Sequence, residues 1–250
     1  MWRRVREMAH RAGLEVSRYP PRDPNPLSLE HKLRLLLSRH PVACVIDVGA
    51  HHGEFAARLR HDAHYGGLIW SFEPASTSFR VLSEKFATDS NWAGYQYAIG
   101  SGSDDVELTL YPDGVGNSLH GTSSLGESLG MREAGREIVQ QRRLDDIPIP
   151  PGPVLIKADT QGHDLEVLRG ADRLLSRARA VLVEAPIRNI YTDTPKLPDL
   201  MSALSDRFEL CGLYPVLTDP DGIRVLEFDA LFVARGASLV EGAARPGFTR

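Results

Sequence analysis

Cysteine is scarce in this sequence, and its scarcity argues against one class of fold. The 250 residues include 2 cysteines, and Cys44 and Cys211 both stand within apolar stretches. Because small secreted proteins depend on several disulfide bridges, this usage favours a reducing compartment. We therefore expect both cysteines to be small core residues rather than a bridged pair, and we expect the protein to be cytoplasmic.

Long hydrophobic runs and an excess of basic residues are also missing. No stretch approaches the roughly 18 to 20 apolar residues of a membrane span, and the amino terminus lacks the apolar core of a signal peptide. The formal net charge is -4, whereas nucleic-acid binding needs a clustered basic surface. These absences predict a protein that is neither inserted nor secreted and that binds no nucleic acid.

Composition divides the chain into three regions. Residues 1–27 combine a short basic amphipathic helix, with Trp2 and Val5 on its apolar stripe, and a proline-rich linker. We interpret the stripe as packing on the domain or on a partner subunit of a homo-oligomer, with weak contact to a membrane surface as the alternative. Residues 28–235 are long enough for one α/β domain, and the Gly-, Ala- and Arg-rich residues 236–250 are expected to be a flexible tail.

Strand-like and helix-like segments alternate through the domain. The strand-like segments are VACVIDVG, LIWSFEP, YQYAIG, VELTLYP, PVLIKAD and AVLVEAP, and helical patterns begin near Glu54, Ser76 and His163. This order predicts a largely parallel sheet with helices on both faces. Two further apolar runs, FELCGLYPV and EFDALFVAR, flank the turn residues DPDG and predict an antiparallel hairpin. Residues 113–135 are rich in Gly and Ser and lack periodicity, so we expect a lid over the active site.

The turn after the first predicted strand indicates a cofactor site. It contains Asp47, Gly49 and Gly53 in the pattern D-x-G-x-x-x-G. A dinucleotide site usually has G-x-G-x-x-G, but this chain has His51 at the position of the second glycine. A carboxylate at Asp47 would repel a pyrophosphate and would suit the ammonium group of a bound amino acid. S-adenosylmethionine has that ammonium and carries no phosphate.

The second predicted strand ends in an acid at a suitable distance from this turn. Glu73 stands 20 residues after Gly53, where a carboxylate can accept hydrogen bonds from both hydroxyls of a ribose. Since this contact is common to several nucleotide cofactors, Glu73 alone does not distinguish S-adenosylmethionine from a nicotinamide cofactor.

Several separated blocks, in this order, resemble the FkbM family of S-adenosylmethionine-dependent methyltransferases. They lie within residues 42–235 and are VIDVGAHHG, FEP, GTSSL, RRLDDI, IKADTQGHDLEVLRGADRLL and AVLVEAP. The resemblance implies a Rossmann-like class I methyltransferase fold with a mostly parallel seven-stranded sheet. It also implies a cofactor pocket lined by the following residues: Asp47, Gly49, Ala50, His51, Gly53, Glu73, Pro74, Ser123, Ser124 and Asp159. The chain departs from the family at His51, where Asn is usual, and at Gln161, where many members have Glu.

Charged side chains gather at the end of the strand in IKADTQGHD. In a methyltransferase sheet this strand ends beside the sulfonium of the cofactor, so Asp159 is predicted to face the reactive methyl group and an incoming acceptor. A hydroxyl is a poor nucleophile until its proton is removed, and Asp159 and His163 are the nearest candidate bases. Lys157 lies two residues back on the same strand face, and Glu184 ends the next strand, where it could bind an acceptor hydroxyl.

These observations favour an O-methyltransferase that acts on a hydroxyl of a saccharide, a glycolipid or a polyketide-type metabolite. The alternatives are a non-catalytic S-adenosylmethionine-binding protein and a nicotinamide-dependent oxidoreductase. Potential metal ligands such as Asp159, Glu184 and His120 show no diagnostic spacing, so no metal is assigned.

Overall fold

The structure is a computed structural model that describes residue 25, residues 27–112 and residues 114–236. The predicted amphipathic helix and almost all of the proline-rich linker lie outside the described residues, as does the predicted tail from residue 237 onward. The elements in chain order are α1 (Leu29–Arg39), β1 (Cys44–Val48), α2 (Glu54–His61), β2 (Leu68–Phe72), α3 (Ser76–Lys85), β3 (Trp92–Tyr95), β4 (Ala98–Ile99), β5 (Asp105–Leu110), α4 (Ser124–Ser128), β6 (Gly135–Arg142), β7 (Val154–Ala158), α5 (Asp164–Arg169), α6 (Asp172–Leu175), β8 (Ala178–Pro186), α7 (Leu197–Leu204), β9 (Phe208–Thr218) and β10 (Val225–Ala234).

Seven strands form the main sheet in the order β3-β2-β1-β7-β8-β10-β9. The first five strands of that order are parallel, and β10 runs antiparallel to both β8 and β9. The predicted fold class is therefore confirmed: a mostly parallel seven-stranded sheet that ends in a carboxyl-terminal antiparallel hairpin.

Helices cover both faces of this sheet because its central strands are apolar on both sides. In β1, Ile46 belongs to one buried cluster together with residues of α5 and α7, whereas Val45 belongs to a second cluster with residues of α1 and α2. Period-two alternation of side chains explains this division between the faces. Ser28 caps α1 by accepting the backbone N–H of His31 at 3.2 Å, which is a common start for a helix.

The segment predicted as one strand, YQYAIG, is divided between two sheets. Tyr95 ends β3 in the main sheet, whereas Ala98 begins β4, which pairs with β6 in a separate three-stranded sheet of order β4-β6-β5. The sequence analysis did not identify β6. A signal for it exists, because Val139 and Gln141 are buried and alternate with exposed residues, as the period of a half-buried strand requires.

The expectation for Cys211 is wrong. Cys44 is buried in β1 as predicted, but Cys211 is exposed, and both cysteines are free. The reason is topological, since Cys211 lies on β9 at the edge of the sheet, where most residues of the strand are exposed. An apolar run alone does not distinguish an edge strand from a central one.

The chain order of the strands reverses between β1 and β7, which lie side by side at the centre of the sheet. In open α/β sheets, ligands bind outside the carboxyl ends of the strands at such a reversal. In the described part of the chain, no helix is both long enough and apolar enough to cross a membrane.

Candidate active site

A cavity of about 350 Å³ opens at the carboxyl ends of β1, β2 and β7. Its volume lies within the range of about 300 to 1,000 Å³ that is usual for small-molecule sites. The cavity brings together eight of the predicted site residues, namely Gly49, Ala50, His51, Glu73, Pro74, Lys157, Asp159 and His163. Further lining residues were not named by the sequence analysis, among them Tyr97, Ile99, Leu108, Asn117, Leu119 and Asp229.

Gly49 is required by the packing of two turns against each other. Its φ is +73°, and a Cβ atom at this position would lie 1.8 Å from the backbone oxygen of Asp159. Gly53 has φ +77° and faces α3, where a Cβ atom would lie 2.5 Å from the ring of Phe86. Both glycines therefore serve contacts within the protein, whereas the sequence analysis connected the turn to the close approach of a ligand.

Glu73 is held rigidly at the wall of the cavity. Its Oε2 accepts the N–H of His51 at 2.8 Å, and its Oε1 accepts the N–H of Ala75 at 3.0 Å. The residue is 5% exposed, and burial raises its pKa. Because each carboxylate oxygen has a second lone pair, Glu73 can still accept hydrogen bonds from a ligand in the cavity.

Asp47 and Lys157 form a buried pair beneath the cavity. Asp47 is fully buried and accepts the hydroxyl of Ser71 at 3.3 Å; it is not among the described residues that line the cavity. Lys157 Nζ lies 3.5 Å from Asp47 Oδ1 and 3.2 Å from Asp159 Oδ2, and it donates to the carbonyl of Gly49 at 2.9 Å. Burial opposes the charge of Lys157, but the two carboxylates outweigh it and raise the pKa of the lysine. Lys157 is thus a permanent counter-ion rather than a proton acceptor.

Asp159 is a half-buried carboxylate that lines the cavity. Its side chain is 33% exposed, its Oδ2 faces Lys157, and its Oδ1 accepts Nε2 of Gln161 at 2.9 Å. Burial opposes the charge of Asp159, but Lys157 and the hydrogen bond from Gln161 lower its pKa below the usual range. A carboxylate held this way stays ionised, so it can accept a hydrogen bond from a hydroxyl and orient it, and it does not retain a proton.

Glu184 lies behind Asp159 and is connected to it through Gln161. Its Oε2 accepts Nε2 of Gln161 at 2.8 Å, and the residue is 5% exposed. Burial, with Asp159 as the next contribution, raises the pKa of Glu184 far above its ordinary value. Glu184 is absent from the described lining of the cavity, so any effect on a ligand passes through Gln161 and Asp159.

His163 lines the cavity as an uncharged ring. Its Nε2 lies 3.2 Å from Nε2 of Gln141, and its Nδ1 lies 3.4 Å from Nε2 of His120. Burial, assisted by His120, lowers the pKa of His163 to about 4. Since the amide of Gln141 can only donate here, the neutral ring accepts at Nε2 and carries its proton on Nδ1. The lone pair that a general base would use is therefore already engaged.

The predicted lid contributes to the cavity through its first part. Gly114, Val115, Asn117 and Leu119 line the cavity. Ser123 instead caps α4, where it accepts the N–H of Gly126 at 3.2 Å and donates to the carbonyl of Asn189 at 2.8 Å. Ser124 is the first residue of α4. Neither serine is among the cavity-lining residues that the structure describes.

Three potential metal ligands lie at the mouth of the cavity. Ligand atoms of His51, His52 and Glu54 are all within 4.8 Å of one another. The two imidazole rings, however, are stacked with their centroids 3.7 Å apart and an angle of 25° between their planes. Because the lone pairs of stacked rings run side by side and do not converge, this arrangement does not present a preformed coordination site.

Comparison with known proteins identifies the family. The chain matches the model of the Methyltransferase FkbM domain over residues 47–209. It is 29% identical over 154 residues to "Hexuronic acid methyltransferase AglP" of Haloferax volcanii, covering 61% of this chain and 60% of that protein. It is 27% identical over 157 residues to "Methyltransferase sdnD" of Sordaria araneosa, covering 51% of this chain and 60% of that protein. The chain thus spans about 60% of the length of the curated relatives it matches.

A solved structure supports the fold. The structure of methyltransferase FkbM from Methylobacillus flagellatus KT superimposes with a TM-score of 0.50 at 20% identity, covering 77% of this chain and 43% of that one. At this identity the likeness concerns the fold alone. Since the family model covers well over half of the chain, this protein belongs to the FkbM methyltransferase family.

Proposed function

We propose that this protein is an S-adenosylmethionine-dependent O-methyltransferase whose catalytic domain is formed by residues 28–235. The observation that carries the proposal is one cavity that joins the Gly49 turn, the Glu73 carboxylate and the half-buried Asp159 carboxylate. Membership of a methyltransferase family supports methyl transfer as the reaction.

The residues of the cavity fit the parts of S-adenosylmethionine. Glu73 would accept the ribose hydroxyls, and the turn from Gly49 to His51 would hold the amino-acid end. Ile99 and Leu108 offer apolar surface for the adenine ring. When bound, the cofactor supplies an electrophilic methyl group on a positively charged sulfur. We place Asp47 as the counter-ion of Lys157, since its carboxylate is fully buried.

Asp159 is the residue that we expect to meet the acceptor. It would accept a hydrogen bond from the attacking hydroxyl, hold its oxygen in line with the methyl group, and pass the hydroxyl proton on to solvent as the O–C bond forms and the S–C bond breaks. Orientation of this kind contributes strongly to displacement reactions, because effective molarities of oriented reactants reach on the order of 10⁵ M or more. In this proposal His163 contacts the acceptor as a neutral ring, and Glu184 acts through Gln161.

A saccharide hydroxyl is the first acceptor class to examine, with glycolipids and polyketide-type metabolites next. One relative of the chain is named a hexuronic acid methyltransferase. Its name supports a sugar acceptor for this protein, and an assay of neutral and acidic saccharides would identify the member of the class.

Calorimetry with S-adenosylhomocysteine and with NAD tests the cofactor. We expect S-adenosylhomocysteine to bind and NAD not to bind. Glu73→Ala is expected to weaken the binding of S-adenosylhomocysteine by roughly 10- to 150-fold, because a charge-assisted hydrogen bond contributes about 1.5 to 3 kcal/mol to the binding free energy. Glu84→Ala, at an exposed position of α3, is the control, and thermal melting of both variants reports whether the His51 turn stays folded. Unchanged affinity in a folded Glu73→Ala variant would show that the ribose lies elsewhere.

The same binding measurements, together with an activity assay, distinguish the proposed function from the two alternatives. Binding of NAD in place of S-adenosylhomocysteine would favour an oxidoreductase. Binding of S-adenosylhomocysteine without methyl transfer to any acceptor across the three classes would favour a non-catalytic binding protein. Mass spectrometry of the acceptor after incubation with S-adenosylmethionine detects the transferred methyl group directly.

A further inference from the structure

The side chain of Gln161 lies between two carboxylates at the carboxyl edge of the sheet. Its Nε2 donates to Asp159 Oδ1 at 2.9 Å and to Glu184 Oε2 at 2.8 Å. These two contacts use both hydrogens that a primary amide carries. Gln161 is therefore matched to a pair of acceptors, one half-buried in the cavity and one buried behind it.

Tyr191 contacts the oxygen end of the amide. Its hydroxyl lies 2.8 Å from Gln161 Oε1 and 2.9 Å from the carbonyl of Gly116. If the amide were rotated by half a turn, its oxygen would face Asp159 and Glu184, and acceptor would meet acceptor at both contacts. The neighbours thus leave one orientation of Gln161 satisfied.

The backbone of Gln161 is held in an unusual conformation that directs the side chain back over the strand ends. Its φ is +53°, in the left-handed region that residues other than glycine seldom occupy. Its carbonyl accepts the hydroxyl of Ser118 at 2.7 Å. Asp164 secures the same turn by accepting the N–H groups of Thr160 and Gly162 at 3.1 and 3.3 Å. Contacts from both sides therefore maintain the strained position.

We propose that Gln161 is a positioning residue that fixes the Asp159 carboxylate in the orientation in which it receives the acceptor hydroxyl. The inference rests on the proposed function, because it assigns Gln161 a role in the same site. Lys157 restrains one oxygen of Asp159 and Gln161 restrains the other. Without the amide, Asp159 Oδ1 and Glu184 Oε2 each lose the donor that Gln161 gives them.

A glutamate at position 161 provides a test because it has the same shape and different protons. When ionised, the new carboxyl donates no hydrogen bond and repels both neighbours; when protonated, it donates one. The carboxyl groups that act on this site come from β7, α5, β8 and β10 and are Asp159, Asp164, Glu184, Glu227 and Asp229. The cations that act on these carboxyl groups are Lys157 and, at Asp229, also Arg58. His163 and His120 lie beyond the turn with pKa values lowered chiefly by burial, so they add no positive charge near neutral pH.

The experiment compares Gln161→Glu and Gln161→Leu with the wild type, and uses Gln140→Glu, at an exposed position of β6, as the matched charge control. We expect kcat/KM for the acceptor in Gln161→Glu to fall at least about tenfold at pH 8, the equivalent of one lost charge-assisted hydrogen bond, and to recover as the pH is lowered toward 6. Gln161→Leu is expected to lose a similar factor at every pH. S-adenosylhomocysteine is expected to bind both variants with affinity within about threefold of the wild type. The proposal would be overturned if kcat/KM of Gln161→Glu depended on pH as that of the wild type does. It would also be overturned if Gln161→Leu kept a near-normal kcat/KM.

Thermal melting against pH gives a second result that does not depend on turnover. The new carboxyl would have a raised pKa in the folded protein because of burial and two neighbouring carboxylates. Its protonated form is favoured by folding, so the stability deficit of Gln161→Glu relative to the wild type is expected to grow as the pH rises. The stability deficit of Gln140→Glu is expected not to grow with pH. If the stability deficit of Gln161→Glu were also independent of pH, the contact of residue 161 with Asp159 and Glu184 would be contradicted. If the melting result is as expected but the wild type binds no S-adenosylhomocysteine, the proposed function fails, and the positioning role fails with it.

Discussion

At the scale of single residues, neighbours decide what each charged group does. Lys157, Asp159, His163 and Asp164 stand close together in the sequence and have four different roles in the structure. Lys157 neutralises two carboxylates, Asp159 faces the cavity, His163 is uncharged, and Asp164 caps a turn. The departure at Gln161 also acquires a physical meaning, because an amide donates to two carboxylates whereas an ionised glutamate donates to none.

Asp159→Asn tests the orienting carboxylate. We expect turnover with a verified acceptor to fall by at least about a hundredfold, within the range of 10² to 10⁴ that a proton-accepting group contributes. Affinity for S-adenosylhomocysteine is expected to change little, because in the proposed site Glu73 and the Gly49 turn would hold the cofactor. Steady-state kinetics and calorimetry measure the two quantities.

A matched pair of variants separates Asp159 from the neighbouring histidine. His163→Gln keeps a polar side chain in contact with Gln141, and it is expected to reduce turnover less than Asp159→Asn does. Near-normal turnover in Asp159→Asn together with a large loss in His163→Gln would transfer the role of base to His163.

At the scale of elements, the site is assembled where two strand-to-helix turns contact each other. The turn after β1 packs against the turn after β7, with Gly49 directly against the carbonyl of Asp159. The segment that follows β5 then covers these turns: Ser118 exchanges backbone hydrogen bonds with Thr109 and donates its hydroxyl to Gln161. Parts of the predicted lid are therefore already anchored on the carboxyl edge of the sheet.

Hydrogen exchange tests whether the segment acts as a lid. We expect residues 114–124 to exchange more slowly when S-adenosylhomocysteine is bound, because the segment would close over the ligand and exclude water. The turn at residues 219–222 between β9 and β10 is the internal control, and its exchange is expected to be unchanged. Equal rates for residues 114–124 with and without ligand would leave this segment as a surface loop.

At the scale of the whole molecule, the carboxyl edge of the sheet concentrates buried acids. Glu227 and Asp229 on β10 lie close to Glu184 on β8, and all three have raised pKa values, chiefly because of burial. The pKa of Glu227 rises to about 7 and that of Asp229 to about 6. Lys157 offsets part of this charge. A positively charged cofactor would offset more of it, which is consistent with the proposed use of S-adenosylmethionine.

Glu227→Gln tests this electrostatic arrangement. A carboxyl whose pKa is raised by folding stabilises the protein fully below its unfolded pKa and loses that contribution as the pH rises through its folded pKa. For Glu227 the window runs from 4.5 to about 7. We therefore expect the melting temperature of Glu227→Gln, relative to wild type, to increase from about pH 5 to about pH 8. Glu127→Gln, at an exposed position, is the control. If the melting temperatures of the two variants changed with pH in the same way, the raised pKa of Glu227 would be contradicted.

The fold class was determined by the sequence alone. Alternating strand and helix patterns, two-sided apolar strands such as β1, and the turn residues before β10 are local signals, and the structure has the predicted sheet and hairpin. The positions of Gly49, Glu73 and Asp159 in one cavity also follow from local pattern, because the carboxyl ends of parallel strands meet at one edge of a sheet.

Tertiary structure decided what local pattern does not encode. Whether an apolar strand is central or at an edge depends on its partners, so Cys211 is exposed although its surroundings in the sequence resemble those of Cys44. The small sheet of β4, β5 and β6 requires pairing between distant segments. The burial of Asp47, the uncharged state of His163 and the bridge made by Gln161 all depend on groups far away in the chain, since a pKa and a hydrogen bond are set by the atoms that surround a side chain and not by its position in the sequence.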